Sequence, residues 1–204
     1  MKRVLITGYK ASELGIFSLK HQGIPIIKKA IQKRLIPLVE EGLEWVVVSG
    51  GWGVELWAAE AVLELQAKAC PELKLAVITP FLEQEENWSD EKKGCYTSVL
   101  NRANYVNSIT KTKYEGPWQF KERDKFLLRN SDGIILVYDE DTEGSPKYMK
   151  MQAVQLAANH DYPIITINAN DLQNAAEEDH EDAYGDSWTD MVDEPANYND
   201  DHEI

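Results

Sequence analysis

Apolar residues in this chain fall into short unbroken runs, separated by longer stretches in which they return every three or four positions. Val4 to Thr7, Trp45 to Ser49, Leu75 to Thr79, Ile134 to Tyr138 and Ile164 to Ile167 are nearly all apolar. Such runs predict strands covered on both faces. Tyr105 to Thr110 is a weaker sixth candidate. Between them the 3.6-residue period predicts helices over about Ile24 to Glu41, Val54 to Ala69, Lys92 to Ala103, Trp118 to Asn130 and Pro146 to His160. The second is the clearest, with Leu56, Ala59, Val62, Leu63 and Gln66 recurring near that period. Pro37 lies inside the first and predicts a kink or a break. Repeated strand, helix, strand implies right-handed crossovers. The fold class is therefore α/β, a single doubly wound and mainly parallel sheet with helices on both faces.

A length of 204 residues with 43% hydrophobic content supports one domain with a real core. The net charge of -14 changes the picture only locally. Residues 171–204 hold 13 acids and no Lys or Arg, while residues 1–170 carry 22 acids against 21 bases. The expected division is a folded unit over 1–175 and an acidic tail over 176–204, too polar to bury a core of its own and expected to be disordered. A near-neutral folded part argues against direct binding of duplex nucleic acid, which needs a basic face. Cys70 and Cys95 lack metal-type spacing and no histidine clusters with them, so no metal site is expected. No run approaches membrane-spanning length, so no membrane insertion is expected and the cytoplasm is the expected compartment.

Ligands of open parallel sheets bind beyond the carboxyl ends of the strands. Those ends carry Thr7-Gly8, Ser49-Gly50, Thr79-Pro80 and Tyr138-Asp139. The strongest feature is Ser49-Gly50-Gly51-Trp52-Gly53-Val54-Glu55, between a strand and a helix. Its glycines allow a tight turn and close approach, and a helix start offers free N–H donors to a phosphate; the same glycines also suit a turn that binds nothing. Glu55 sits in the first helical turn, where the helix dipole stabilises it, and is placed to accept hydrogen bonds from ribose hydroxyls or to orient a water. Trp52 could stack on a base, whereas Trp57 reads as core. Lys10 is placed to meet a phosphate as a point charge or to be solvated. Glu143-Gly144-Ser145-Pro146-Lys147-Tyr148 contains an N-cap serine and a first-turn proline, with Lys147 adding charge. Pro80 to Trp88, with Glu83, Glu85 and Glu86, reads as a solvated loop or as paired carboxylates for acid-base work, and Tyr114 to Gln119 as a turn-rich loop or a lid. No Ser-His-Asp or Cys-His nucleophile set and no Walker-type lysine appears.

Thr7-Gly8-Tyr9-Lys10 with Glu13-Leu14-Gly15-Ile16-Phe17, then Glu41-Gly42-Leu43-Glu44-Trp45, Gly53-Val54-Glu55-Leu56-Trp57-Ala58-Ala59-Glu60, Val77-Ile78-Thr79-Pro80-Phe81 and Glu143 to Tyr148 together resemble the YpsA family of Gram-positive bacteria, over about residues 3 to 172. That family is grouped with the SLOG superfamily, Rossmann-like proteins that include the LOG nucleotide phosphoribohydrolases and the DNA-processing protein DprA. The resemblance implies a Rossmann-like sheet, a nucleotide-derived ligand site carried by Gly50, Gly51, Gly53 and Glu55, and a link to cell division with a cell-division protein as partner. Relatives self-associate, which extends the expectation to a homo-oligomer. One departure concerns chemistry. LOG hydrolases carry Pro-Gly-Gly-x-Gly-Thr-x-x-Glu, whereas here Ser49 precedes the glycines, Val54 replaces the threonine and the acid lies nearer the glycines.

The expected ligand-binding residues are thus Thr7, Gly8, Lys10, Ser49, Gly50, Gly51, Gly53, Glu55, Thr79, Gly144, Ser145 and Lys147, with Glu55 the candidate catalytic group. The expected function is a sensor or regulator of a nucleotide, an NAD-like or ADP-ribose molecule, or a nucleotide sugar. The alternatives are an N-glycosidic nucleotide hydrolase and a protein adaptor that docks through the tail.

Overall fold

The computed structural model describes residues 1–178. Six strands form one parallel sheet: β1 Arg3–Gly8, β2 Trp45–Val48, β3 Lys74–Thr79, β4 Tyr105–Ser108, β5 Gly133–Val137 and β6 Ile164–Ile167. Five helices alternate with them: α1 Gly23–Glu40, α2 Val54–Lys68, α3 Asp90–Arg102, α4 Trp118–Arg129 and α5 Pro146–Ala157. Residues 169–178 are also helical. This last stretch runs past residue 175, and the acidic segment 179–204 lies outside the described residues.

The spatial order β4-β3-β2-β1-β5-β6 explains the layers. The chain steps outward from β1 to β4, then returns to place β5 on the other side of β1. Right-handed crossovers in opposite directions put their helices on opposite faces. Accordingly α1 packs on α2 and α2 on α3, while α4 lies on β3, and α5 lies on β5 and β6. The order reverses between β1 and β5, where Thr7 stands opposite Leu136 and Gly8 opposite Val137. A cleft must open at the carboxyl end of that junction, because the connections there leave in opposite directions.

The core is centred on this junction. Val4, Leu5, Ile6, Ile134, Ile135 and Leu136 are fully buried. In α2 the small Ala58, Ala59 and Ala61 are also fully buried, which lets the helix approach the sheet closely and explains its apolar character on most sides. Trp57, 1% exposed, is core as expected. Helix α1 runs through Pro37 without division. The proline stands in the last turn, so its missing N–H removes a single late hydrogen bond and the helix ends three residues on.

Candidate functional site

Two loops meet at the carboxyl end of β1. The turn after β2 and the turn after β1 form an antiparallel bridge between Lys10 and Gly53. Its hydrogen bonds run from the Val54 N–H to the Tyr9 carbonyl (3.1 Å) and from the Ala11 N–H to the Trp52 carbonyl (3.2 Å). Gly53 makes this possible: it has φ 136°, and a Cβ there would lie 2.6 Å from both the Tyr9 carbonyl oxygen and the Ala11 nitrogen. Tyr9, 3% exposed, continues the seam by donating its hydroxyl proton to the Thr142 carbonyl at 2.7 Å.

Glu55 curls back from the first turn of α2 over the glycine turn. It accepts the Thr7 hydroxyl at 2.8 Å, the Gly51 N–H at 3.0 Å and the Ser49 hydroxyl. A Cβ on Gly51 would stand 2.6 Å from Glu55 Oε2, so glycine is what lets the carboxylate reach the backbone. The first amides of α2 also have partners, with Leu56 N–H on the Gly51 carbonyl and Trp57 N–H on the Gly53 carbonyl. The expected phosphate cradle therefore has its Gly51 amide and the Val54, Leu56 and Trp57 amides of the helix start already engaged by the protein.

Helix α4 adds a second charged layer. Its inward side buries Leu127 and Leu128 and, where apolar residues are the rule, carries the half-buried pair Arg123 and Asp124, which line the cavity together with Phe120. Arg123 donates through Nε and Nη2 to one oxygen of Asp124 (2.9 and 2.6 Å) and through Nη1 to the Ser49 hydroxyl at 3.3 Å. Burial pushes the Asp124 carboxyl up from its ordinary range, and the Glu55 charge adds to that, against the lowering effect of Arg123.

Together these elements enclose a cavity of about 640 Å³. Thr7, Gly8, Lys10, Gly51, Glu55 and Ser145 of the sequence-derived set line it. Ser49 stands behind it as the link between Glu55 and Arg123. The structure does not bring Gly50, Gly53, Thr79, Gly144 or Lys147 to the lining. Gly50 turns with φ 72° against Val77 and Tyr96. Thr79 is buried on Ser108 at 2.6 Å. Gly144 lies against the Tyr9 ring, and Lys147 pairs with Glu143 at 3.6 Å. Ser145 makes no cap bond, contrary to its expected role; its hydroxyl and its N–H both donate to Glu13, at 2.8 Å each. The Lys10 N–H donates to the same carboxylate at 2.7 Å. Glu83 and Glu86 are tied to Lys113 outside the cavity. In the first turn of α4, Gln119 is fully buried and accepts the Glu115 N–H at 2.7 Å, which pins the preceding turn.

Sequence reasoning singled out Trp52 but not Arg123 or Asp124, nor the other aromatic residues around the cavity. Trp52 and Trp88 meet edge to face with centroids 5.9 Å apart, and Lys92 Nζ lies 4.9 Å from the Trp52 ring centre. The buried Trp52 indole N–H has no acceptor among the described residues. Phe81 and Phe120 stack edge to face at 5.5 Å on the opposite side. Among the described residues no group of His, Cys, Asp and Glu is arranged to hold a metal ion.

Residues 4–172 match the YspA SLOG family. The chain belongs to that family. A UPF0398 protein of Brevibacillus brevis is 55% identical over 188 residues, 92% of this chain and 100% of that protein. One from Lysinibacillus sphaericus is 59% identical over 174 residues, 85% of this chain and 97% of the other. A third, from Bacillus cereus, is 50% identical over 179 residues, 88% of this chain and 97% of its own length. Among solved structures, DNA processing protein A from Helicobacter pylori, described for its single-stranded DNA binding mode, superposes with a TM-score of 0.50 at 16% identity. The match covers 81% of this chain and 64% of that one, and it shows a shared Rossmann-like SLOG fold. Among the described residues no helix is long and apolar enough to cross a membrane.

Proposed function

We propose that the SLOG domain binds a small nucleotide-derived ligand, such as a nucleotide, an ADP-ribose or NAD-like molecule or a nucleotide sugar, and acts as a sensor or regulator. The observation that carries this reading is the cavity itself. About 640 Å³ of space at the switch point of a doubly wound sheet is within the range that small-molecule sites occupy. Its wall offers aromatic faces for a base, Lys10 and Lys92 for phosphate, and carboxylates for hydroxyls. An acceptor on the ligand would also relieve the unmet indole N–H of Trp52, a deficit worth about 1–3 kcal/mol. The cell-division link implied by the family would make the ligand-bound form the one that meets a protein partner. The near-neutral charge of residues 1–170 favours this over strand binding of the kind described for the Helicobacter protein.

One observation favours a second reading. Glu55 and Asp124 line the same cavity from different helices, in unlike surroundings, and such pairs of carboxyls divide acid and base roles in hydrolases. In an N-glycosidic hydrolase Asp124 would protonate the departing base while Glu55 holds the ribose, and a water would add at the anomeric carbon and return a proton to Asp124. A thermal-shift screen against nucleotides, NAD, ADP-ribose and nucleotide sugars, with each mixture analysed for breakdown, tests both. Stabilisation without breakdown supports the sensor, and release of free base that stops in Asp124→Asn supports the hydrolase. No shift with any compound would end both readings.

A further inference from the structure

The glycine turn suggests a phosphate site, yet several of the donors that would hold a phosphate are already taken by the protein's own carboxylates. At α2, Glu55 takes the Gly51 N–H and the Thr7 and Ser49 hydroxyls. At α5, Glu13 takes the Ser145 N–H and hydroxyl together with the Lys10 N–H. Two helix starts that face the carboxyl edge of the sheet are thereby neutralised by built-in anions. Beside Glu55 stands Asp124, whose Arg123 partner binds only one of its two oxygens. The floor of the cavity therefore presents hydroxyl acceptors, and a doubly charged phosphate placed there would meet two carboxylates in a partly desolvated site. Besides Arg123, which is held on Asp124 and Ser49, the cationic groups of the lining are Lys10 on the β1 loop and Lys92 on α3 over the Trp52 ring. Neither ammonium makes an ion pair among the described residues.

We infer that the ligand enters with the vicinal hydroxyls of a ribose toward Glu55 and Asp124 and with its phosphate outward, toward Lys10 and Lys92. This rests on the reading of the cavity as a nucleotide site and deepens it. The substrate class becomes 5′-linked ribonucleotides whose 2′- and 3′-hydroxyls are both free. A 2′- or 3′-phosphate would bring its charge to the carboxylates, and a missing hydroxyl would leave a carboxylate oxygen without its donor. Nucleotides inside a DNA or RNA strand are excluded for the same reason, since their 3′-oxygen is esterified.

The test compares isomers of equal mass and charge. Isothermal titration of the full chain with adenosine 5′-monophosphate, 3′-monophosphate and 2′-monophosphate, and with ADP-ribose, is run on wild type and on Asp124→Asn. Each protein is first melted alone, to establish that the variant is folded. The 5′-monophosphate and ADP-ribose should bind, and the 2′- and 3′-isomers should bind at least about tenfold more weakly, the loss of one well-placed hydrogen bond to a charged group being about 1.5–3 kcal/mol. Asp124→Asn should narrow that gap by removing one of the two repelling charges. Equal affinity for the three isomers, or preference for the 3′-phosphate, overturns the orientation while leaving the nucleotide site standing. Absence of binding by all four compounds removes the nucleotide reading, and the inference with it.

Discussion

Gly53 holds φ 136° with two backbone atoms of the neighbouring loop 2.6 Å from where a Cβ would be. An added methyl meets main chain on both sides, which has no rotamer to yield. Gly53→Ala is expected to lower stability by about 1–3 kcal/mol in urea unfolding, whether or not a ligand is present. The residue thus shapes the turn rather than the ligand surface, and a loss of binding in this variant would report on the loop seam. Asp124 makes the second prediction at this scale. Its native pKa is raised, first by burial, from an ordinary 3.8. The native state therefore keeps the proton longer than the unfolded chain does, and stability falls as pH rises from about 3.8 through the raised value. Asp124→Asn removes this dependence, so the stability of the variant relative to wild type should improve from acid to neutral pH in parallel melts.

Glu13 ties the β1 loop to the start of helix α5. Glu13 is partly desolvated, which by itself would raise its pKa, but the N–H groups of Lys10 and Ser145 and the Ser145 hydroxyl outweigh that and hold it below the ordinary 4.5. Its contribution to stability is complete above that range and is lost as pH falls through the depressed value. Glu13→Gln should therefore melt lower than wild type at neutral pH, and the two should converge in acid. On α3, burial pushes the Tyr96 hydroxyl up to about 12, opposed by the hydrogen bond from Gln84, so this phenol should ionise late in an alkaline absorbance titration. The elements themselves were largely legible in the sequence, because the central strands are buried on both faces and read as continuous apolar runs. β4 gave the weakest signal for a physical reason: it is an edge strand, with Tyr105 49% and Val106 43% exposed. The Ser145 cap was misread because Ser-Pro at a helix start satisfies local capping rules, while its real partner, Glu13, is 132 residues away.

Across the whole molecule, the site is made where the strand order reverses, and that decides what could be seen beforehand. The glycine turn was legible, since its strand, turn and helix are consecutive. Arg123 and Asp124 were not, since α4 reaches Ser49 over a separation of 74 residues through the return crossover. A signal existed in the charged pair on the inward stripe of α4, but without the sheet order it had no address. Among the described residues the buried core runs from Val4 to Ala175, and residues 179–204 hold ten of the 35 acids and no base. Truncation after Glu178 is expected to leave the melting temperature within a few degrees and to raise the isoelectric point from about 4.7, checked by calorimetry and isoelectric focusing.

Glu55 lying over the Gly51 amide has one more consequence. A helix start is the positive end of a dipole, and a glycine turn before it ordinarily forms a concavity of positive potential. By standing close after the glycines, the acid folds into that concavity and leaves its remaining lone pairs facing outward. The polarity at the focus of the sheet is inverted without any change of backbone plan. Where an acid falls along one turn of helix thus decides how much of a helix start's positive potential is left to meet an anion, a route by which a single scaffold can acquire ligands of opposite electrostatic character.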